Sequence, residues 1–156
     1  MDLPELILFQ GNWDEYIEQL YAIYEKEIVR GGLAFEGLPI RCQFRPPYNG
    51  KGFGFWHLIS EGNVEDERIP DFRRCERIRW IAWMIQIAGG DARVSWWKNC
   101  RGSETHVVLW LEEHDFSVIL AKRNGYYLLK TAYCVKPHRG EVFRRERETF
   151  WRAQKG

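Results

Sequence analysis

The segment from Gly52 to Gly62, "GFGFWHLISEG", sets one histidine, His57, in an apolar run, and "YYLLKTAYCV" sets one lysine, Lys130, in another. Histidine titrates near neutral pH and can take or give a hydroxyl proton, while a lysine ammonium offers positive charge to an oxyanion. Each residue also has a simpler reading. His57 suits a hydrogen-bonded structural position, and Lys130 suits a strand edge from which its ammonium snorkels to water. Their coincidence points to chemistry: two predicted strands each place one titratable group in an apolar pattern, and hydroxyls at Thr131 and Tyr133 follow the second. Such a set suits cleavage of a phosphodiester, with histidine as general acid or base and cations on the phosphate, a scheme that requires neither metal nor cofactor.

Further basic groups surround this core set. "RRCERIRW" carries Arg73, Arg74, Arg77 and Arg79 around Glu76. Arg73 and Arg77 are i,i+4 neighbours, so they either hold a phosphate together or form a solvated helix flank with Glu76 as counter-ion. His138 and Arg139 follow Pro137 in a basic loop, adding phosphate contacts and, in His138, a second proton carrier. His106 and His114 read as surface residues. Trp96-Trp97 and Tyr126-Tyr127 offer rings for base stacking, although strand alternation sends one of each pair to either face. "RPPYNGKGFG" is glycine-rich but lacks Walker spacing.

The elements that must position these residues are legible from periodicity. Asn12, with Glu15 three residues later, opens an amphipathic helix that "RGG" ends. A short extended segment, "LPIRCQF", and a Pro/Gly loop lead to the predicted strand bearing His57. In it Phe53, Phe55, His57 and Ile59 share one face. The polar loop "SEGNVEDERIP" precedes a second helix, "DFRRCERIRWIAWMIQIAGG", capped by Asp71. Four strands follow: "ARVSWW", "THVVLWLEE", "FSVILAKR" and "YYLLKTAYCV", the last two joined by Asn124-Gly125. Alternation groups Lys130 with Leu128, Ala132 and Cys134, and Thr131 and Tyr133 with Tyr127 and Leu129. A charged helix, "RGEVFRRERETFWRAQ", ends the chain and depends on docking to form. Helices first and a consecutive meander after define an α+β fold with an antiparallel sheet of four or more strands and a C-terminal helix.

Length and composition set the outer limits. A chain of 156 residues is expected to form one domain, 1–156, around one core. No apolar run approaches the ~20 residues of a membrane span, and "MDLPELILFQ" lacks the basic start and cleavage region of a signal peptide, so a cytoplasmic protein without membrane partners is expected. Four widely spaced cysteines form no C-x-x-C pair, which argues against zinc and redox motifs. Net charge is +1, yet residues 1–30 carry −5 and residues 122–156 carry +7. The basic end either meets phosphate or forms a solvated helix face.

Taken in order, "FWHLIS", "RIPDFRRCERIRW" and "YYLLKTAYCV" resemble the phage-associated branch of the barnase, EndoU, colicin and RelE-like nuclease superfamily, over about Tyr16 to Arg147. The resemblance implies N-terminal helical elements before a four-stranded antiparallel sheet, and a metal-independent endoribonuclease or toxin-like domain. RNA is then the substrate, and a cognate immunity or antitoxin protein is the kind of second partner such a nuclease takes. Mapped onto this chain, His57 would be the general acid or base, Lys130 and Arg77 would hold the scissile phosphate, and Thr131 or Tyr133 would orient it. Arg73, Arg74, His138 and Arg139 would contact substrate. A non-catalytic nucleic-acid- or protein-binding module on the same fold is the alternative.

Overall fold

The computed structural model describes residues 1–62, 64 and 67–155. Asn63, Glu65 and Asp66 of the expected polar loop, and Gly156, lie outside the described residues. Helix α1, Trp13–Ile23, starts where its cap predicts: Asn12 Oδ1 accepts the Glu15 N–H at 3.0 Å, meeting one of the donors that every helix start leaves over. It continues as a π-helical turn, Tyr24–Val29. A turn follows, and at its Gly31 only glycine fits, because a Cβ there would collide with the Glu27 carbonyl oxygen. Two short strands follow, β1 (Ala34–Phe35) and β2 (Leu38–Arg41).

The His57 segment is a helix, which corrects the predicted strand. Helix α2, Phe53–Ile59, buries Gly54, Phe55, Leu58 and Ile59 and leaves Trp56 and His57 half-buried. Short apolar runs fit either period, and the neighbouring loop decides this one. The Phe44 and Gln43 carbonyls accept the Phe53 and Gly54 N–H groups at 3.0 and 2.8 Å, pairing donors that a new helix cannot pair internally. A Cβ on residue 54 would lie 3.1 Å from the Gln43 carbonyl oxygen and 3.3 Å from the Tyr24 hydroxyl, so glycine permits the close approach.

A small hairpin, β3 (Ser60–Glu61) and β4 (Ile69–Pro70), leads to the second predicted helix, which is split in two. Asp71 caps α3, Phe72–Glu76, by accepting the Arg73 N–H at 2.9 Å, and Arg77 leaves helical geometry before α4, Ile78–Ile87. The two pieces serve different neighbours. Helix α3 packs on α2 and the last strand, whereas α4 buries eight of its ten residues between the first helix and the sheet.

The meander is β5 (Val94–Arg101), β6 (Glu104–Leu111), β7 (Phe116–Arg123) and β8 (Tyr126–Cys134), all antiparallel as expected. Gly125, with φ of 86°, makes the last turn. The sheet is nevertheless mixed: its order is β1-β2-β8-β7-β6-β5, and β2 lies parallel to β8 through Ile40–Tyr127 and Arg41–Leu128. The helices between β2 and β8 provide the long return that parallel pairing needs.

Alternation divides the side chains between two cores. Val107, Leu109, Val118, Leu120, Tyr127, Leu129 and Ala132 join α1 and α4 on one face. Trp97, Val108, Trp110 and Ile119 face the terminal helix α5, Pro137–Lys155, through Phe143. Part of the basic C-terminal charge is used in this docking. Arg144 and Arg147 lie over the Trp110 ring at 5.5 and 5.2 Å and pair with Glu112, each at 3.0 Å. Glu146 accepts from Trp97, Asn99 and Arg101 on β5 at 3.0 to 3.2 Å. All four cysteines are free thiols, and among the described residues no helix is long and apolar enough to cross a membrane.

Phe143, 1% exposed, is the apolar anchor of α5. Phe143→Ala is expected to lower unfolding free energy by about 3–5 kcal/mol, measured by urea denaturation.

Candidate active site

Helix α2 packs against β8, and their junction encloses a recess of about 270 Å³. His57 and Phe53 supply one wall; Arg123, Leu128, Leu129 and Lys130 supply the other. The histidine and the lysine singled out by sequence therefore line one cavity, joined by Arg123, which sequence reading passed over. Phe53 and His57 are one helical turn apart, with ring centroids 5.7 Å apart, and they also border a larger cavity of about 870 Å³ that extends past Trp56.

Lys130 reaches this position through a β-bulge. Thr131 pairs with Ile119 but Leu129 pairs with Leu120, so Lys130 is an extra residue with no partner in β7. The bulge overturns the face assignment expected from strict alternation. Tyr127, Leu129, Ala132 and Cys134 all pack toward the larger core, while Lys130 turns toward Glu104 on the opposite face. Thr131 and Tyr133, opposite Ile119 and Ser117, belong to that same opposite face. Bulges re-aim a side chain in this way, and here one brings Lys130, Thr131 and Tyr133 to the same side.

Behind the recess three nitrogen groups converge on one carboxylate. Lys130 Nζ and His106 Nε2 lie 2.6 and 3.1 Å from Glu104 Oε1, and Arg123 lies 3.0 Å from Oε2. Hydrogen bonds from Lys130 and His106 hold the Glu104 carboxyl down at about 2. An anion therefore already occupies the point on which these groups converge. His106 is part of this cluster rather than a plain surface residue; its i,i+2 spacing from Glu104 on one strand was the available signal. Tyr133 is half-buried, and desolvation raises its pKa against the opposing charges of Arg139 and Arg101, so the phenol stays protonated as a donor.

The arginines of "RIPDFRRCERIRW" have another task. Arg68 donates to the His57 and Gly62 carbonyls at 3.0 and 2.7 Å and also to the Ser60 carbonyl. Arg74 donates to that same Ser60 carbonyl at 2.6 Å, and the Ser60 hydroxyl donates to the Trp56 carbonyl at 2.5 Å. Two guanidinium groups thus close the carbonyl end of α2, where positive charge is favourable. Burial and the neighbouring Arg68 lower the Arg74 pKa, and Asp71, 3.6 Å away, opposes that effect. Arg74 is a positioning residue for the helix that carries His57.

Other expected site residues lie elsewhere. Arg77 sits over the Trp80 ring at 5.0 Å, bonds the Arg73 carbonyl at 3.0 Å and stands 3.4 Å from Glu76. It neighbours Cys134, four residues along β8 from Lys130, or roughly 13 Å of strand, and is not among the residues of the recess. Arg73 is exposed near the same cysteine. His138 and Arg139 are exposed in the first turn of α5, with Arg139 near Tyr133 rather than in the recess. The two candidate stacking pairs are committed to packing: Trp97 and Tyr127 are buried, Trp96 meets Phe35 and Trp151, and Arg41 lies over Tyr126. No family model, curated protein or solved structure matches the chain.

Arg74→Ala is expected to cost about 1.5–3 kcal/mol, the range for hydrogen bonds to charged groups, read as a lower urea midpoint. Glu104 gives a pH signature. Its folded carboxyl lies below its ordinary value of 4.5, so its contribution is complete above that value and is lost as pH falls toward about 2. The stability difference between wild type and Glu104→Gln should be present at neutral pH and vanish at the acid end, measured by melting temperature across the range.

Proposed function

We propose that this protein is a metal-independent endoribonuclease, a toxin-like domain of phage or mobile-element origin. The carrying observation is that His57, Lys130 and Arg123 line one recess at the junction of α2 and β8. The order of elements adds support, because helices precede the antiparallel meander β5 to β8 as in barnase- and RelE-like nucleases. RNA is the substrate, and the cytoplasm is where it acts.

In this reading His57 removes the proton of the ribose 2′-hydroxyl as that oxygen attacks phosphorus. The O2′–P bond forms and the P–O5′ bond breaks, leaving a 2′,3′-cyclic phosphate. The departing 5′-oxygen takes its proton from water at the recess mouth, and His57 returns its own to solvent. Lys130 and Arg123 stabilise the added charge on the phosphoryl oxygens. For this they exchange Glu104 for phosphate, which leaves His106 as the partner of that carboxylate. Thr131 and Tyr133, on the Lys130 side of β8, orient the chain. Arg77 takes no part in the phosphate contact.

A second reading, a binding module on the same fold, is favoured by one observation: Glu104 already pairs with both Lys130 and Arg123. Incubation with mixed RNA in EDTA separates the two. The nuclease reading expects cleavage to cyclic-phosphate ends, a loss of about 10²-fold or more in His57→Ala, and an unchanged melting profile for that variant. RNA retained without cleavage, equally by wild type and His57→Ala, would establish the binding module instead.

A further inference from the structure

The larger cavity on the far side of Phe53 and His57 has no role in the proton and phosphate chemistry above. Its volume, about 870 Å³, lies within the ~300–1,000 Å³ range of small-molecule sites. Its walls include Trp13, Tyr48, Phe53, Trp56 and His57, with Arg68 and the exposed amide of Asn49 adding polar groups.

The loop that presents Tyr48 is tightly held. Tyr48 and Lys51 exchange backbone hydrogen bonds at 2.9 and 3.0 Å. Lys51 is buried, pairs with Glu18 and lies over the Tyr21 ring at 5.5 Å. Trp56 Nε1 donates to the Tyr48 carbonyl at 2.9 Å, and the two rings meet edge to face at 5.6 Å. Tyr48 is nevertheless 64% exposed. A large ring kept in solvent by a pinned loop, beside an aromatic cavity, is a stacking surface with little ordering left to lose on binding. The indole donor of Trp56 is already used, so that ring offers its face rather than a hydrogen bond.

We infer that this cavity receives a nucleobase of the RNA strand, flanking the phosphate that enters the recess. The inference rests on the nuclease reading. Phe53 and His57 border both cavities, so a ribose crossing their ridge joins a base stacked near Tyr48 and Trp56 to a phosphate facing Lys130 and Arg123. Asn49 supplies both a donor and an acceptor to the base edge. Aromatic faces accept every base, so a broad sequence range is expected.

The test uses the full chain and a short 2′-O-methyl oligoribonucleotide, which lacks the attacking hydroxyl and is not cleaved, beside an abasic oligomer of equal length and charge. Binding is followed by anisotropy of a 5′ label. Tyr48→Ala should weaken the base-containing oligomer roughly 5- to 150-fold, while Tyr48→Phe stays within about twofold of wild type. The abasic oligomer should bind wild type more weakly and be unaffected by Tyr48→Ala. Because Tyr48 is exposed, its variants should melt like wild type. Equal weakening of both oligomers by Tyr48→Ala, or of neither, overturns the base site while leaving cleavage in EDTA to speak for the nuclease. Absence of wild-type binding to either oligomer, together with absence of cleavage, overturns both.

Discussion

The packing of α2 on β8 is the contact on which the rest of the site depends. β2 pairs with β8 only through Ile40–Tyr127 and Arg41–Leu128, and exposed strand edges in folded proteins are characteristically covered. Helix α2 packs on that strand, buries Phe55, Leu58 and Ile59 in the larger core, and leaves His57 and Phe53 at the junction. Both ends of the helix are tied to neighbouring segments. Carbonyls of Gln43 and Phe44 accept its first N–H groups, while Arg68 and the Ser60 hydroxyl donate to the His57 and Trp56 carbonyls and Arg74 to the carbonyl of the capping Ser60. A histidine on so short a helix owes its position to these ties, because an isolated seven-residue helix does not persist in water.

The bulge at Lys130 has the complementary effect on the strand. Ladder pairing on either side keeps Leu129 and Ala132 in the larger core, and the inserted residue lets Lys130 face the other way without exposing either apolar neighbour. Glu104 then gathers Lys130, Arg123 and His106 into one cluster. In a half-exposed setting such pairs contribute modestly to stability, and the carboxylate already answers the charges of Lys130 and Arg123. A polar cluster and apolar packing thus share β8 by a one-residue change in register.

Charge along the chain is distributed for assembly more than its raw pattern suggests. The C-terminal excess of positive charge is partly spent against Glu112, with two guanidinium groups over Trp110, and Glu146 draws three β5 side chains toward α5. These contacts, with Phe143 between Trp97 and Trp110, explain how a helix with such a charged sequence lies stably on the sheet. The positive charge facing the recess comes instead from the β7–β8 hairpin.

Elements governed by local chemistry were legible in the residues: the Asn12 and Asp71 caps, the four meander strands, the Asn124-Gly125 turn and the α+β class. So were His57 and Lys130 as a pair, because each breaks an apolar pattern, and each lines the same recess. Period alone could not decide whether "GFGFWHLIS" is strand or helix, since its apolar positions satisfy both; the Gln43 and Phe44 carbonyls decided it. Nor could alternation foresee the bulge, which exists only between two paired strands. Arg74 read as a phosphate ligand until Ser60 came within its reach, and Glu104, His106 and Arg123 read as ordinary polar residues until β6, β7 and β8 set them side by side. Sequence by itself determined which side chains were costly to place in apolar surroundings. Tertiary structure decided which of them meet, because helix ends, strand register and sheet edges are satisfied by partners distant along the chain.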